Sequence, residues 1–363
     1  MIKQKIKFCQ TQDGVRLAYA VAGRGPPLIK TANWLSHIEY EWHCPVWRHW
    51  YENLTKHFTL IRYDQRGCGL SDWNADSITF ESWVQDLETV VKAVGLERFP
   101  LLGISQGSAV ALAYAKKHPQ KVSRLVLYGG YLRGRLHRNL SKEQIEETDM
   151  FIKLIKLGWG SENPVFRQVF TSLFAPDSTI EQIQSLNELH KKSTSAENAV
   201  RIVKCFDNID VSSLSCQVTT PTLIMHAKDD ARVPFEEGRL SASSIPGAQF
   251  IPLESRNHIL LESEPAWQKF LKSLLLFIKA EKNGIKKAKN FSKYSLLTRR
   301  EKEVLELMAQ GFDNGKIARH LFISPKTIRN HITNLFGKLE IKNRSKIIVM
   351  AREAGIGHDK KTT

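Results

Sequence analysis

The strongest constraint on the fold is the run Gly103-Ile104-Ser105-Gln106-Gly107, which lies between an apolar stretch and an alanine-rich stretch. The residues before it predict a buried strand, and the residues after it predict a helix. Glycines at both ends allow a tight strand-to-helix turn, which holds the Ser105 hydroxyl above the edge of a sheet. The bare pattern is common, but in this context it predicts a nucleophilic serine.

The surrounding sequence alternates short apolar strands with helices. Asp13-Gly14 predicts a hairpin between the first two strands. Further strands are predicted at residues 28–29, 58–63, 99–104 and 124–128, and helices at 80–94 and 106–118. This alternation indicates βαβ units and a mostly parallel sheet covered on both faces, which is an α/β fold.

Residues 131–215 are polar and helix-patterned without a clear strand, so we expect a helical lid over the sheet edge. The sheet resumes at 222–226 and 249–253, and a helix predicted at 265–279 closes the first domain, residues 1–280. A polar, basic linker is predicted at 281–293.

A serine hydroxyl needs a base to activate it and an acid to orient that base. Asp230 and His258 each follow a predicted strand, so both are expected at the sheet edge that carries Ser105. Asp229, the neighbouring residue, is the alternative acid. Ser105, Asp230 and His258 are therefore the candidate catalytic residues.

Residues 1–280 resemble the α/β-hydrolase family, in which the nucleophile, the acid and the base follow in this chain order. Compared with the family's His-Gly-x-x-Asp spacing, the run His226-Ala227-Lys228-Asp229-Asp230 favours Asp230 over Asp229 as the acid. The resemblance implies structural roles for Asp64 and Arg66 in the run Asp64-Gln65-Arg66-Gly67-Cys68-Gly69-Leu70-Ser71. It also implies an oxyanion hole made by the backbone N–H groups of Gln106 and Asn33. The His-Gly pair that the family usually carries in this loop is absent near Asn33. We expect this absence to affect the rate of turnover more than ligand binding.

An unusually aromatic stretch follows the third strand. Trp34 and His37 are predicted to line the ligand pocket, whereas Trp47 and Trp50 are predicted to pack a helix against the sheet. A largely apolar pocket with few polar groups would suit a small ester, lactone or amide.

The net charge of +16 is concentrated at one end of the chain. Residues 281–363 carry 19 Lys and Arg against 8 Asp and Glu, whereas residues 1–280 carry 34 against 29. Such an excess predicts a polyanionic partner, with a solvated basic tail as the alternative.

The pattern of residues 294–357 predicts four helices in an all-α domain, with a tail at 358–363. Thr298 and Glu301 form a capping box, Gly311 ends the first helix, and Ser324-Pro325 begins the third. Two short helices, a tight turn and a third helix describe a helix-turn-helix.

These residues resemble the LuxR-type family of transcriptional regulators. The matching runs are Leu297-Thr298-Arg299-Arg300-Glu301, Lys316-Ile317-Ala318, Ser324-Pro325-Lys326-Thr327-Ile328-Arg329-Asn330-His331, Lys338-Leu339 and Asn343-Arg344. The resemblance implies binding to double-stranded DNA, a homodimer on DNA and RNA polymerase as a further partner. It also implies that Ile347, Ile348 and Met350 contribute to dimerisation, although they could equally be core residues.

Helical spacing directs Ile328, Ile332 and Leu335 inward, so the opposite face of the third helix is expected in the major groove. Arg329, Asn330 and Thr333 are the candidate base-facing or groove-facing residues, and Lys326 shares their face. Candidate phosphate contacts are Lys316, Thr327, Lys338 and Arg344.

The sequence also argues against several classes of protein. No apolar run approaches the roughly 20 residues of a membrane span, and the N-terminus lacks the apolar centre of a secretory signal. Five scattered cysteines without CxxC spacing favour a reducing, cytoplasmic location over a disulfide framework or a zinc site. We expect no metal and no cofactor.

Three functions remain open from the sequence. The first is a regulator whose hydrolase domain senses a small ligand and possesses the residues to cleave it. The second is a working serine hydrolase with an accessory DNA-binding tail. The third is a hydrolase fold that binds its ligand without turnover.

Overall fold

The computed structural model describes residues 3–159, 165–295, 297–339, 341, 343–353 and 356. Two compact units divide the chain, Met1–Ile278 and Lys279–Thr363. Each unit packs its own hydrophobic core.

The first unit is built on an eight-stranded sheet. Its strands are β1 (Lys5–Gln10), β2 (Arg16–Ala22), β3 (Pro27–Lys30), β4 (Thr59–Tyr63), β5 (Phe99–Ile104), β6 (Val122–Tyr128), β7 (Thr222–Ala227) and β8 (Gln249–Leu253). The spatial order is β1-β2-β4-β3-β5-β6-β7-β8. β1 and β2 pair antiparallel, as do β2 and β4, and the remaining pairs are parallel. The mostly parallel α/β sheet predicted from the sequence is therefore confirmed.

Every residue of β5 and β7 is buried, whereas β1 at the sheet edge is largely exposed. This contrast arises because helices cover both faces of the central strands. The covering helices are α1 (Ile38–His43), α2 (Pro45–His57), α3 (Phe80–Val94), α4 (Gly107–Lys117), α10 (Phe235–Ser244) and the start of α11 (Pro265–Ser295).

The predicted lid segment is helical. It comprises α5 (Lys142–Gly158), α6 (Val165–Phe174), α7 (Ile180–Ser193), α8 (Ala196–Asp207) and the short α9 (Ser212–Ser215). Capping boxes begin α5 at Ser141 and α7 at Thr179, where Gln144 and Gln182 return the hydrogen bond. The described part of this segment contains no strand, only an isolated bridge between Arg133 and Asp210.

The turn after β4 has the structural role that we predicted. Both carboxylate oxygens of Asp64 accept backbone N–H groups, from Ile38 at 3.0 Å and from Leu70 at 2.9 Å. The fully buried guanidinium of Arg66 is paired with Asp86 at 2.7 Å and with Asp13 at 2.6 Å. These contacts fix the turn and leave neither side chain free for chemistry.

The second unit contains α12 (Arg299–Ala309), α13 (Asn314–Leu321), α14 (Pro325–Leu339) and α15 (Arg344–Glu353). The predicted capping box is present, because Thr298 Oγ1 accepts the Glu301 N–H and Glu301 accepts the Thr298 N–H. Gly311, with φ +92°, follows the end of α12. The four predicted helices are confirmed.

One helix boundary was wrong. We predicted a helix that ends at Lys279 and a tether at 281–293, but α11 continues to Ser295. The reason is local, since this stretch is rich in Lys, contains no proline and so retains helix propensity. No described helix is long and apolar enough to cross a lipid bilayer.

Candidate functional site

Ser105 occupies the sharp turn between β5 and α4. Its φ of +54° is left-handed, a strained conformation for a residue with a side chain. A Cβ on Gly103 would lie 2.6 Å from the Ser108 backbone, and one on Gly107 would lie 2.5 Å from the Ala32 carbonyl oxygen. Only glycines therefore fit on either side of Ser105, which is the reason for the spacing that the sequence displays.

His258 and Asp230 form a hydrogen-bonded pair inside the protein. Nδ1 of His258 donates to the two Asp230 carboxylate oxygens at 2.8 and 3.1 Å, and both side chains are almost fully buried. The alternative acid, Asp229, is exposed and makes only a backbone contact with Ser255. The imidazole is thus oriented by Asp230, in agreement with the strand spacing.

The Asp230 carboxylate remains ionised despite its burial. Burial favours the neutral acid, but the neighbouring His258, which also donates a hydrogen bond, holds the pKa of Asp230 below its ordinary value. The N–H groups of Arg232 and Val233 donate to Oδ1 at 2.8 and 2.9 Å. A second imidazole, His226, lies 3.6 Å from Oδ2 and bonds the Val233 carbonyl, a contact that the sequence analysis missed.

Ser105 and His258 each lie against the end of β6. The Ser105 N–H donates to the Tyr128 carbonyl at 3.0 Å. A Cβ on the next residue, Gly129, would lie 3.1 Å from the His258 ring. Nε2 of His258 is buried without a hydrogen-bond partner among the described residues, and no bond joins it to the Ser105 hydroxyl.

The loop after β3 carries the predicted second oxyanion donor. Within the described chain, neither Asn33 nor Gln106 donates its backbone N–H to a protein acceptor. The Asn33 side chain accepts a short hydrogen bond from Lys30, a buried lysine whose pKa burial lowers to about 8. The neighbouring Trp34, with φ +41°, donates its N–H to the Gln106 side-chain oxygen at 2.6 Å. This bond occupies the Trp34 N–H and ties the loop after β3 to the elbow.

Two cavities flank Trp34. The first, here called the arginine cavity, is lined by Trp34, Ser105, Gln106, Tyr131, Arg135, Arg138, Phe174, Phe206, Asp207, Arg232 and Val233. The second, largely apolar, includes His258, Asn33 and His190. Trp34 and Phe174 line both cavities, and their stacked rings lie 5.9 Å apart.

Two expectations about the pocket differ from the linings of these two cavities. His37 is not among the lining residues of either cavity; its ring accepts the Tyr40 N–H at 3.4 Å as the N-cap of α1. The cavity that contains Ser105 has an aromatic and apolar lining, but Arg135, Arg138 and Arg232 give it more charged groups than we predicted. These arginines come from the lid and from the loop after β7, so no local motif reveals their convergence.

The second unit exposes one face of α14. Ile328, Ile332 and Leu335 are buried in its core. The opposite face is solvent-exposed and presents Lys326, Arg329, Asn330 and Thr333. Thr327 is half-buried and shares a hydrogen bond with Ser324 at 2.8 Å, and Lys316 on α13 is exposed. Helical periodicity thus predicted correctly which side chains face solvent.

Two of the predicted phosphate contacts have partners within the domain. Lys338 donates to the buried Glu301 at 2.7 Å, and Arg344 donates to the Asn314 side chain and the Phe312 carbonyl at 2.7 Å each. These contacts join different helices of the second unit.

The fourth helix contributes chiefly to the core of its own domain. Ile347 is fully buried, and Ile348 and Met350 pack against the same core. The core alternative therefore holds for Ile347, whereas Val349 on this helix is 56 % exposed.

Family models match both units. The model for bacterial regulatory proteins of the luxR family matches residues 295–351, and the model for the alpha/beta hydrolase fold matches residues 40–199. Spore germination protein GerE of Bacillus subtilis is 51 % identical over 63 residues, which cover 17 % of this chain and 85 % of that protein.

The first unit has more distant relatives. Pyrrolizixenacetamide deacetylase of Xenorhabdus hominickii is 26 % identical over 265 residues, 72 % of this chain and 95 % of that protein. A solved esterase of Exiguobacterium antarcticum superposes with a TM-score of 0.64 at 25 % identity, covering 75 % of this chain and 99 % of the esterase. The chain therefore belongs to the LuxR family of bacterial regulatory proteins and carries an α/β-hydrolase domain ahead of its DNA-binding domain.

Proposed function

We propose that this chain is a transcription regulator whose hydrolase domain binds and cleaves a small ester, lactone or amide. The observation that carries the proposal is the left-handed Ser105 at the wall of a cavity, together with the His258 imidazole that Asp230 holds in one orientation. Because a DNA-binding domain lies on the same chain, we propose that binding of this ligand regulates transcription.

The proposed reaction uses these residues in turn. The Ser105 oxygen attacks the ligand carbonyl carbon while His258 Nε2 takes the hydroxyl proton, and Asp230 stabilises the resulting imidazolium. His258 then protonates the departing alcohol or amine, which leaves an acyl ester on Ser105. Water, deprotonated by His258, cleaves that ester, releases the carboxylic acid and restores the serine. The N–H groups of Gln106 and Asn33 are the proposed donors to the oxyanion.

The DNA half of the proposal rests on the exposed face of α14. Arg329 and Asn330 have side chains that pair with guanine and adenine edges, and Thr333 extends the same surface. We propose that Lys326, Thr327 and Lys316 contact phosphates, and that the chain acts in the cytoplasm as a homodimer with RNA polymerase. Lys338 and Arg344 reach phosphates only by releasing their internal partners.

Each half has its own test. A fluorophosphonate probe should label the full-length protein and fail to label Ser105→Ala, and activated esters should show burst kinetics only with the unmodified serine. Footprinting on genomic fragments at stated salt should reveal a preferred site. Equal ester hydrolysis by both proteins would refute the catalytic half, and binding without sequence preference would refute the regulatory half.

The second candidate is a working hydrolase that uses DNA only for localisation. The intact His258–Asp230 pair favours retained chemistry and is compatible with this alternative. The two functions differ in coupling, because only a regulator changes its DNA binding when the Ser105 site is occupied.

A further inference from the structure

The arginine cavity has an unusual charge for a site that handles neutral acyl compounds. Its described lining contains three guanidinium groups, from Arg135, Arg138 and Arg232, and one carboxylate, from Asp207. The cavity that Ser105 lines is therefore cationic, because its arginine side chains outnumber its one carboxylate.

Two of the arginines have protein partners. Arg135 donates to Thr148 at 3.2 Å and lies 4.0 Å from the Asp207 carboxylate. Arg138 donates to the Arg133 carbonyl at 3.0 Å and lies 3.7 Å from Glu237. Their positions are thus explained in part by the packing of the lid against the sheet.

Arg232 is different, because its guanidinium has no hydrogen bond or ion pair with any residue that the structure describes. It lies over the rings of Phe151, Phe174 and Phe206, at 5.3 to 5.9 Å from their centroids. Burial, aided by Arg135, lowers the pKa of Arg232 to about 10. Arg232 is only half-buried, and a guanidinium has five N–H donors, so these donors are available to an acceptor on a molecule in the cavity.

The place of Arg232 in the chain connects it to the reactive groups. Its backbone N–H donates to Asp230, the residue that orients His258, so the same loop fixes both side chains. All three arginines also line a wider groove beneath α5 and α6, together with Leu140, Gln144, Met150 and Leu154. A molecule that enters the Ser105 cavity from this groove passes the arginines on the way.

We infer that the ligand of the Ser105 cavity carries a carboxylate, which Arg232 binds with support from Arg135 and Arg138 while the scissile carbonyl faces Ser105. The ligand class is then an ester, amide or lactone with an acidic group near the acyl carbon. A planar guanidinium accepts a carboxylate through two parallel hydrogen bonds, which would supply the acceptor that Arg232 lacks. The inference rests on the proposed function for the location of the ligand.

The test compares two substrates of similar size, one of which is negatively charged and the other neutral. The mono-p-nitrophenyl ester of glutaric acid carries a free carboxylate, whereas p-nitrophenyl pentanoate is neutral. We expect the full-length protein to prefer the acidic ester in kcat/KM by roughly 10- to 100-fold, the range for a charge-assisted hydrogen bond. Arg232→Gln should reduce this ratio to near unity, mainly through KM for the acidic ester.

A matched control removes an equal charge elsewhere. Arg239 is exposed on α10 and paired only with the exposed Glu236, so Arg239→Gln should leave the preference intact. A loss of preference in Arg239→Gln as well as in Arg232→Gln would indicate general electrostatic steering and overturn the assignment. A protein that prefers the neutral ester would also overturn it.

A binding experiment separates this inference from the proposed hydrolysis. In Ser105→Ala, calorimetry with monomethyl glutarate and with dimethyl glutarate measures recognition without turnover. Tighter binding of the anionic monoester that disappears in Ser105→Ala/Arg232→Gln supports the inference, even if the unmodified protein never hydrolyses an ester. Equal or undetectable binding of both compounds overturns it, whether or not Ser105 reacts with the fluorophosphonate.

Discussion

At the scale of single residues, the proposed catalytic groups are oriented by contacts with the fold. The Ser105 backbone is bonded to β6, and the His258 ring is held by Asp230. Asp230 selects the imidazole tautomer that leaves Nε2 free to act as the base. Its carboxylate is therefore needed for the proposed chemistry although it does not itself contact the substrate.

Replacement of Asp230 tests this arrangement. Asp230→Asn should lower kcat on an activated ester by a factor on the order of 10³ to 10⁴, because an amide does not stabilise the imidazolium. Asp229→Asn is the matched control, since Asp229 is exposed and its side chain touches no part of the site. Similar rates for the two variants would contradict the assignment of Asp230 as the acid.

A buried histidine outside the site gives the chain a pH-dependent stability. His49 on α2 bonds the Leu260 carbonyl and packs against Trp267, and burial lowers its pKa to about 4. Between pH 4 and the ordinary value near 6.5, the unfolded chain binds a proton that the folded chain does not. This contribution to stability is therefore present above pH 6.5 and lost as the pH falls toward 4.

The corresponding experiment is denaturant unfolding across this pH window. His49→Gln should remove about 3 kcal/mol of the pH dependence of the unfolding free energy, while an amide still donates to the Leu260 carbonyl. His57→Gln, at an exposed position on the same helix, should change nothing. An unaltered pH profile in His49→Gln would show that His49 titrates normally in the folded protein.

Residues near one another in sequence were the predictable part of the site. The spacing from β7 indicated Asp230, and the glycines indicated the elbow. Arg135, Arg138 and Arg232 were missed, because tertiary packing brings together lid and loop residues that are some 100 positions apart. His37 was assigned to the pocket from proximity to Trp34, but a helix begins there and requires its ring as a cap.

At the scale of elements, α14 combines a buried stripe with an exposed polar face. The two kinds of exposed side chain should act differently on DNA. Arg329→Ala should cost roughly 1–3 kcal/mol at the preferred site and relax specificity at one base pair. Lys326→Ala should weaken binding to all sequences similarly and reduce the salt-dependence slope by about 1.

Gel-shift titrations on preferred and scrambled duplexes at several salt concentrations measure both effects. Lys338→Ala serves as a comparison. Because Lys338 is already paired with Glu301, this substitution should leave the salt-dependence slope nearly unchanged. If Arg329→Ala weakens both duplexes equally, Arg329 contacts the backbone and does not read a base.

Helices with strong end signals were predicted well, and α11 was not. Thr298, Glu301 and Gly311 define the limits of α12 in sequence as clearly as in structure. Residues 280–295 contain no proline, and their one glycine, Gly284, does not end the helix, so their polarity suggested a tether where the backbone is helical. Polarity reports solvent exposure, whereas helix termination depends on residues such as Gly and Pro.

At the scale of the whole molecule, the central claim is that occupancy of the Ser105 cavity changes DNA binding. Such coupling means that ligand binding at one site changes the binding free energy at the other. Typical coupling changes the affinity about 5- to 150-fold. The family assignment establishes the two domains, but coupling between them is a property of the full chain and has no signature in either domain's sequence.

The most direct measurement compares the affinity of the full-length protein for its footprinted DNA site before and after complete labelling of Ser105 with a fluorophosphonate. Ser105→Ala treated with the same probe is the control for non-specific modification. We predict that labelling changes the DNA affinity of the protein that carries Ser105 by at least about fivefold. The DNA affinity of Ser105→Ala should stay unchanged after the same treatment. Identical affinities for the labelled and unlabelled protein would contradict ligand-coupled regulation.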